Sequence, residues 1–86
     1  MASFEIIWKN SVHQDLKKIN PAAVPTIVRE VKDLALNPFP IGFKQLRGNR
    51  KLYRIRIGDY RAIYEIDKEE RSIKIVRIRH RKDVYE

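Results

Sequence analysis

Arg54, Arg56, Arg61, Arg77, Arg79, Arg81 and Lys82 fall in one segment, interleaved with isoleucine and tyrosine in strand rhythm, with His80 and Tyr85 close by in sequence. Successive side chains of a strand point to opposite faces, so Tyr53, Ile55 and Ile57 can enter a core while Arg54 and Arg56 stand together on the other side. Such a face is a cationic platform suited to phosphate, which guanidinium forks bind bidentately, and to bases, which stack on aromatic rings. Phosphodiester transfer needs a nucleophile, a proton acceptor, charge stabilisation on the phosphoryl oxygens and protonation of the leaving oxygen. RNA brings its own nucleophile, the 2′-hydroxyl. Arginines for charge and one titratable group such as His80 would then suffice for cleavage without a metal. Plain nucleic-acid binding, partner binding or a merely solvated basic surface satisfies the same residues.

Other chemistries find little footing. The two histidines, His13 and His80, have no cysteine or carboxylate in ligand spacing, so no metal site and no cofactor is expected. Gly42, Gly48 and Gly58 do not open a helix after a strand, which removes the phosphate-loop and dinucleotide fingerprints. The absence of cysteine rules out disulfide and thiol chemistry and leaves the cytoplasm as the expected compartment. Met1 to Trp8 is too short and too interrupted by Glu5 for a signal peptide, and no apolar run approaches a membrane span, so no membrane partner is expected. The formal charge of +8 and pI near 10.1 are uneven along the 86 residues: net +1 over 1–43 and net +7 over 44–86. That bias fits a nucleic-acid-facing second half.

The elements that would hold these groups can be read from periodicity. Phe4, Ile6 and Trp8 alternate as a first strand. Asn10 or Ser11 caps a short helix whose stripe is Val12, Leu16 and Ile19, with Gln14 three residues after Ser11 in capping-box spacing. Asn20-Pro21 reads as the start of a second helix carrying Val24, Ile27, Val28, Val31, Leu34 and Ala35 as far as Asn37-Pro38. Pro38 to Phe43, with two prolines and a glycine, is a packed loop anchored by Phe39 and Phe43. Gly58-Asp59 between two strand-like runs has the pattern of a type II′ hairpin. In Ser72–Arg79 the apolar residues do not share one parity, which fits a strand covered on both faces or a bulge. The expected architecture is a single α+β domain over 1–86, two-layered, in the order β-α-α-β-β-β, with a helical hairpin on a mostly antiparallel sheet.

Leu46-Arg47-Gly48, Leu52-Tyr53-Arg54-Ile55-Arg56, Asp59-Tyr60-Arg61-Ala62-Ile63-Tyr64-Glu65 and His80-Arg81-Lys82-Asp83-Val84-Tyr85 resemble the successive signatures of RelE toxins within the RelE/ParE toxin–antitoxin superfamily. The resemblance implies a toxin that enters the A site of the 70S ribosome and cuts mRNA by 2′-hydroxyl attack, held in check by a RelB-like antitoxin with an acidic, amphipathic wrapping segment. It implies that Arg61 binds the dividing phosphate, that Arg81 acts near the leaving group and that Tyr85 orients the cut nucleotide. Arg54 and Arg56 fall where several relatives carry lysines. Arginine does not give up its proton in a protein, so these two are expected to bind RNA or stabilise charge. The proton acceptor is then His80, the RNA itself or a ribosomal group. Lys44, Arg47, Arg79 and Lys82 are further candidates for RNA contact. Two rivals are a ParE-like, non-catalytic inhibitor of DNA gyrase and a degenerate toxin acting only as co-repressor.

Overall fold

The computed structural model describes residues 3–46, 48 and 51–83. Strand β1 (Glu5–Trp8) runs into helix α1 (Asn10–Lys17), a 3-10 turn (Pro21–Ala23) and helix α2 (Val24–Asp33). Strands β2 (Lys44–Gln45), β3 (Leu52–Ile57), β4 (Tyr60–Asp67) and β5 (Ser72–His80) follow, with a closing 3-10 turn (Arg81–Asp83). They make one sheet in the order β1-β5-β4-β3-β2, in which only the β1–β5 pair is parallel. The α+β arrangement and its mostly antiparallel sheet are those expected, with one added element. The two-residue β2 has no periodicity to announce it; it exists because Lys44 and Gln45 pair with Arg54 and Tyr53.

One side of the sheet carries the core. Ile55, Ile57, Ala62, Tyr64, Ile73, Ile75 and Ile78 are buried there with Val12 and Ile19 from the first helical segment and Ile27, Val31 and Leu34 from the second. The broken parity of β5 is a bulge: Ile63 faces Arg77 and Tyr64 faces Ile75, leaving Val76 as the extra residue. That insertion lets Ile73 and Ile75 share a face with Ile78 despite their spacing.

Both helix starts differ from the sequence reading. Ser11 does not cap α1, which begins at Asn10 after Lys9; its Oγ donates to Val76 O at 2.7 Å. The Ser11–Gln14 capping box is therefore replaced by a tie to β5. Asn20 does act as a cap, its Oδ1 accepting from Ala22 N, but proline and the two alanines form a 3-10 turn and α2 proper starts at Val24.

Trp8 ends β1 opposite Ile75, so beyond the bulge β5 has no strand on that side. α1 takes the place of one. Ser11 and Asp15, one turn apart on the helix, bond Val76 O and Ile78 N, two residues apart on the strand. Four helical residues rise about 6 Å and two strand residues about 6.6 Å, so the two repeats match. Asp15 is only 7% exposed; its Oδ2 accepts from Ile78 N at 3.0 Å and lies 3.2 Å from Arg77 Nε. A free strand edge is thereby covered without a strand.

At the opposite end of the core Phe39 packs edge-on to Phe43 and Tyr53, with centroids 5.2 and 5.8 Å away, and Tyr53 lies 6.0 Å from Tyr64. Both phenylalanines thus anchor the proline loop as expected. The buried Tyr64 hydroxyl donates to Pro38 O at 3.0 Å, and burial, with a smaller contribution from Tyr53, pushes its ionisation well above the ordinary phenol range. A raised folded value means that Tyr64 supports folding fully below the unfolded value of about 10 and withdraws that support above it, by about 1.4 kcal/mol per pH unit. Tyr64→Phe should therefore cost about 1 kcal/mol at neutral pH and flatten the loss of stability above about pH 10. Urea titrations of both proteins from pH 7 to 11 check this.

Candidate nucleic-acid interface

The register of the sheet fixes what stands on the face turned away from the helices. Arg56, Arg61 and Arg79 oppose one another directly across β3, β4 and β5. The next row inward is Lys44, Arg54, Ile63 and Arg77. Like charges abreast on a sheet are unfavourable, by a few tenths to about 1 kcal/mol per pair. A fold that keeps three arginines in one row is biased toward an anion there, because the anion removes the repulsion.

The Gly58-Asp59 turn draws these side chains to one end of the sheet. Gly58 has φ +60° and Asp59 a negative φ, as a type II′ turn requires. Arg56 Nε donates to Gly58 O at 3.3 Å, and Arg61 Nη1 donates to Tyr60 O at 3.1 Å with a longer contact to Gly58 O at 3.5 Å. Beyond the end of β5, Arg81 N donates to Asp59 O at 2.8 Å and Arg81 Nε lies 3.9 Å from Asp59 Oδ1, an exposed pair that adds little stability. Four arginines, 56, 61, 79 and 81, thus surround or adjoin one turn. Gly58→Ala forces an alanine into φ +60° and should cost about 1 kcal/mol. It should also weaken binding of a short RNA, since both Arg56 and Arg61 use that turn; chemical denaturation and fluorescence anisotropy read the two effects.

The other candidates are placed less uniformly. Arg54 is on the same face but only 7% exposed, while Lys44 beside it is exposed. Lys82 is exposed in the last 3-10 turn, its backbone N–H donating to His80 Nδ1 at 3.3 Å. His80 itself opposes Tyr60, its ring 5.4 Å away edge-on, on the helix side of the sheet. It lines a cleft of about 200 Å³ with Asp15, Lys18, Tyr60, Asp83 and its chain neighbour Arg79. The structure does not bring His80 together with Arg56 and Arg61, and parity could have said so: His80 shares its face with Ile78, whereas Arg79 and its row neighbours stand on the alternate one. Arg47 and Tyr85 lie outside the described residues. Asp15 was not singled out from sequence, although an aspartate beside the Val12–Leu16–Ile19 stripe is a polar group turned toward buried neighbours. Among the described residues no His, Asp or Glu cluster could hold a metal ion.

Comparison with known proteins agrees with this architecture. The family described as the ParE toxin of the type II toxin–antitoxin system parDE matches residues 6–85. The chain is 31% identical over 85 residues to the putative toxin RelE1 of Methanocaldococcus jannaschii, covering 95% of this chain and 94% of that protein. It is 29% identical to toxin RelG of Mycobacterium tuberculosis, covering 95% of each. Among solved structures, a chain of the toxin–antitoxin complex RelBE2 from M. tuberculosis superposes with a TM-score of 0.81 at 28% identity, over 91% of this chain and 98% of that one. The archaeal RelE–RelB complex from Pyrococcus horikoshii gives 0.79 at 26% identity, over 94% and 98%. With matches that run nearly end to end, the chain belongs to the RelE/ParE superfamily of type II toxin–antitoxin toxins and is of the RelE type.

Proposed function

We propose that this toxin is a cytoplasmic endoribonuclease that cuts mRNA in the A site of the 70S ribosome, by attack of the RNA 2′-hydroxyl on the adjoining phosphate, so that translation stops. The observation that carries this reading is the row Arg56, Arg61, Arg79 with Arg81 at the adjoining turn. Guanidinium groups gathered at one end of a sheet can stabilise the charge that collects on phosphoryl oxygens as the bond divides. Arg61, in the centre of the row, binds the scissile phosphate; Arg81, beyond the strand end, serves the leaving oxygen; Arg56, Arg79, Lys44 and Lys82 hold flanking phosphates. Arg54 supports the row from beneath. His80 is on the far side of the sheet from Arg61, so the proton acceptor is a group of the RNA or the ribosome. Tyr85 keeps the role that the resemblance implies, orienting the cut nucleotide, and Arg47 adds a contact to RNA. A RelB-like antitoxin is the partner that silences the protein.

The family description, which is that of ParE, favours the second reading, a contact inhibitor of DNA gyrase. Such an inhibitor leaves the like-charged row without a task. Transcript 3′ ends mapped in a cell-free translation reaction separate the two. New ends inside codons that appear only with ribosomes are expected. Supercoiling defects with intact transcripts would replace this reading by the gyrase one, and cleavage of naked RNA would remove the ribosome from it.

A further inference from the structure

The face that carries the arginine row is not cationic throughout. Following β4 away from the Gly58 turn, the row Arg56–Arg61–Arg79 gives way to Lys44–Arg54–Ile63–Arg77, then to Leu52–Glu65–Lys74–Ile7, and finally to Asp67–Ser72–Glu5. Formal charge falls from three positive to none and then to two negative across these rows. Apolar side chains lie in the middle: Ile63 and Leu52 are half-buried, and Ile7 is 36% exposed on the edge strand. From Arg61 to Asp67 the span is six residues, about 20 Å at strand spacing.

A nucleic acid has charge of one sign along its whole length and cannot match such a gradient. It is held by the first two rows and repelled by the last. A polypeptide can match all of it. We propose that the full face is the docking track of an inhibitory peptide segment whose charges are segregated: acidic over Arg56, Arg61 and Arg79, apolar over Ile63 and Leu52, and basic over Glu65, Asp67 and Glu5. The inference rests on the toxin–antitoxin reading and deepens it by fixing the order of chemistry along the antitoxin segment. The consequence is selective recognition. The acidic end competes with RNA for the arginines, while the basic end adds affinity that no RNA can obtain, so opposite-charge matching separates the two ligands.

The test uses the full chain and two synthetic peptides of about 14 residues, enough to span 20 Å as a helix. They have identical composition. One groups glutamates, leucines and lysines in three successive blocks; the other disperses the same residues evenly. The block peptide is expected to bind about tenfold more tightly, and the double variant Glu5→Lys, Glu65→Lys should reduce that preference to roughly twofold or less. The same variant should bind a short single-stranded RNA as well as the parent or better, because added cations favour phosphate. Glu5→Lys alone, at an exposed position of the edge strand, should move both affinities in the same directions and guards against a folding artefact. Equal binding of the two peptides, or an RNA affinity that falls together with the peptide affinity, overturns the proposal. If the parent binds no RNA yet keeps its preference for the block peptide, the docking track stands and the nuclease reading falls.

Discussion

Arg61→Ala should lower ribosome-dependent mRNA cleavage by about 100- to 1,000-fold, the loss typical when one donor that meets developing charge is removed. Its effect on folding should be slight: the half-buried arginine gives up hydrogen bonds to Gly58 O and Tyr60 O, but its removal also relieves repulsion from Arg56 and Arg79 on either side. These contributions oppose each other, so the midpoint of urea unfolding should move by no more than about 0.5 kcal/mol. Cleavage measured by primer extension and stability measured on the same preparation give the pair of numbers. A variant that loses activity and stability together would mark Arg61 as a structural residue, and one that cuts mRNA as well as the parent would remove it from the site.

The largest effect on stability is expected at Asp15. Its carboxylate is the acceptor for the buried Ile78 N–H and lies beside Arg77, so alanine leaves a buried donor without its bond and only Ser11 to tie α1 to the edge of β5. The cost should be about 2–4 kcal/mol, combining an unmet buried N–H with a lost charge-assisted contact. For a chain of this size, with total stability of roughly 4–13 kcal/mol, that is enough to unfold a substantial fraction near 37 °C. Asp15→Asn keeps an oxygen for Ile78 and loses only the charge, so it should cost about 1 kcal/mol. Denaturant midpoints rank the three proteins, and amide exchange at Ile78 should accelerate most in the alanine variant. Equal stability of Asp15→Ala and the parent would show that the Asp15 carboxylate does not help hold this edge.

What sequence conveyed and what it did not follow from the range of each interaction. β3, β4 and their two-residue turn were legible because tyrosine and isoleucine alternate with arginine on either side of a glycine, a pattern confined to a dozen neighbouring residues. The shared face of Arg54 and Arg56 came from the same alternation, but the burial of Arg54 did not, since it depends on strands distant in sequence on either side of β3. β5 showed that its parity was broken without showing where, because the bulge at Val76 is fixed by pairing with Tyr64 and by the reach of Ser11. The role of Ser11 was misassigned for that reason: the local signal of a cap was present, and a bond to a residue 65 positions away outweighed it. His80 is a different case. Its neighbours in sequence suggested company with the arginines, whereas strand alternation, applied to residues 78–80, puts it on the other side.

The strand order also has a bearing on when the molecule can exist. β5 is made last, yet it lies between β1 and β4, and Glu5 meets Ser72 across 67 positions of chain. Until β5 has emerged, β1 has no neighbour, α1 has no edge to cover and Arg79 has no place beside Arg61. Folding must therefore await synthesis of β5, because closing so long a loop is rewarded only by contacts with that strand. A nascent toxin is therefore inert until its last strand is in place, and the cell gains an interval in which a waiting antitoxin can meet the chain as it first folds.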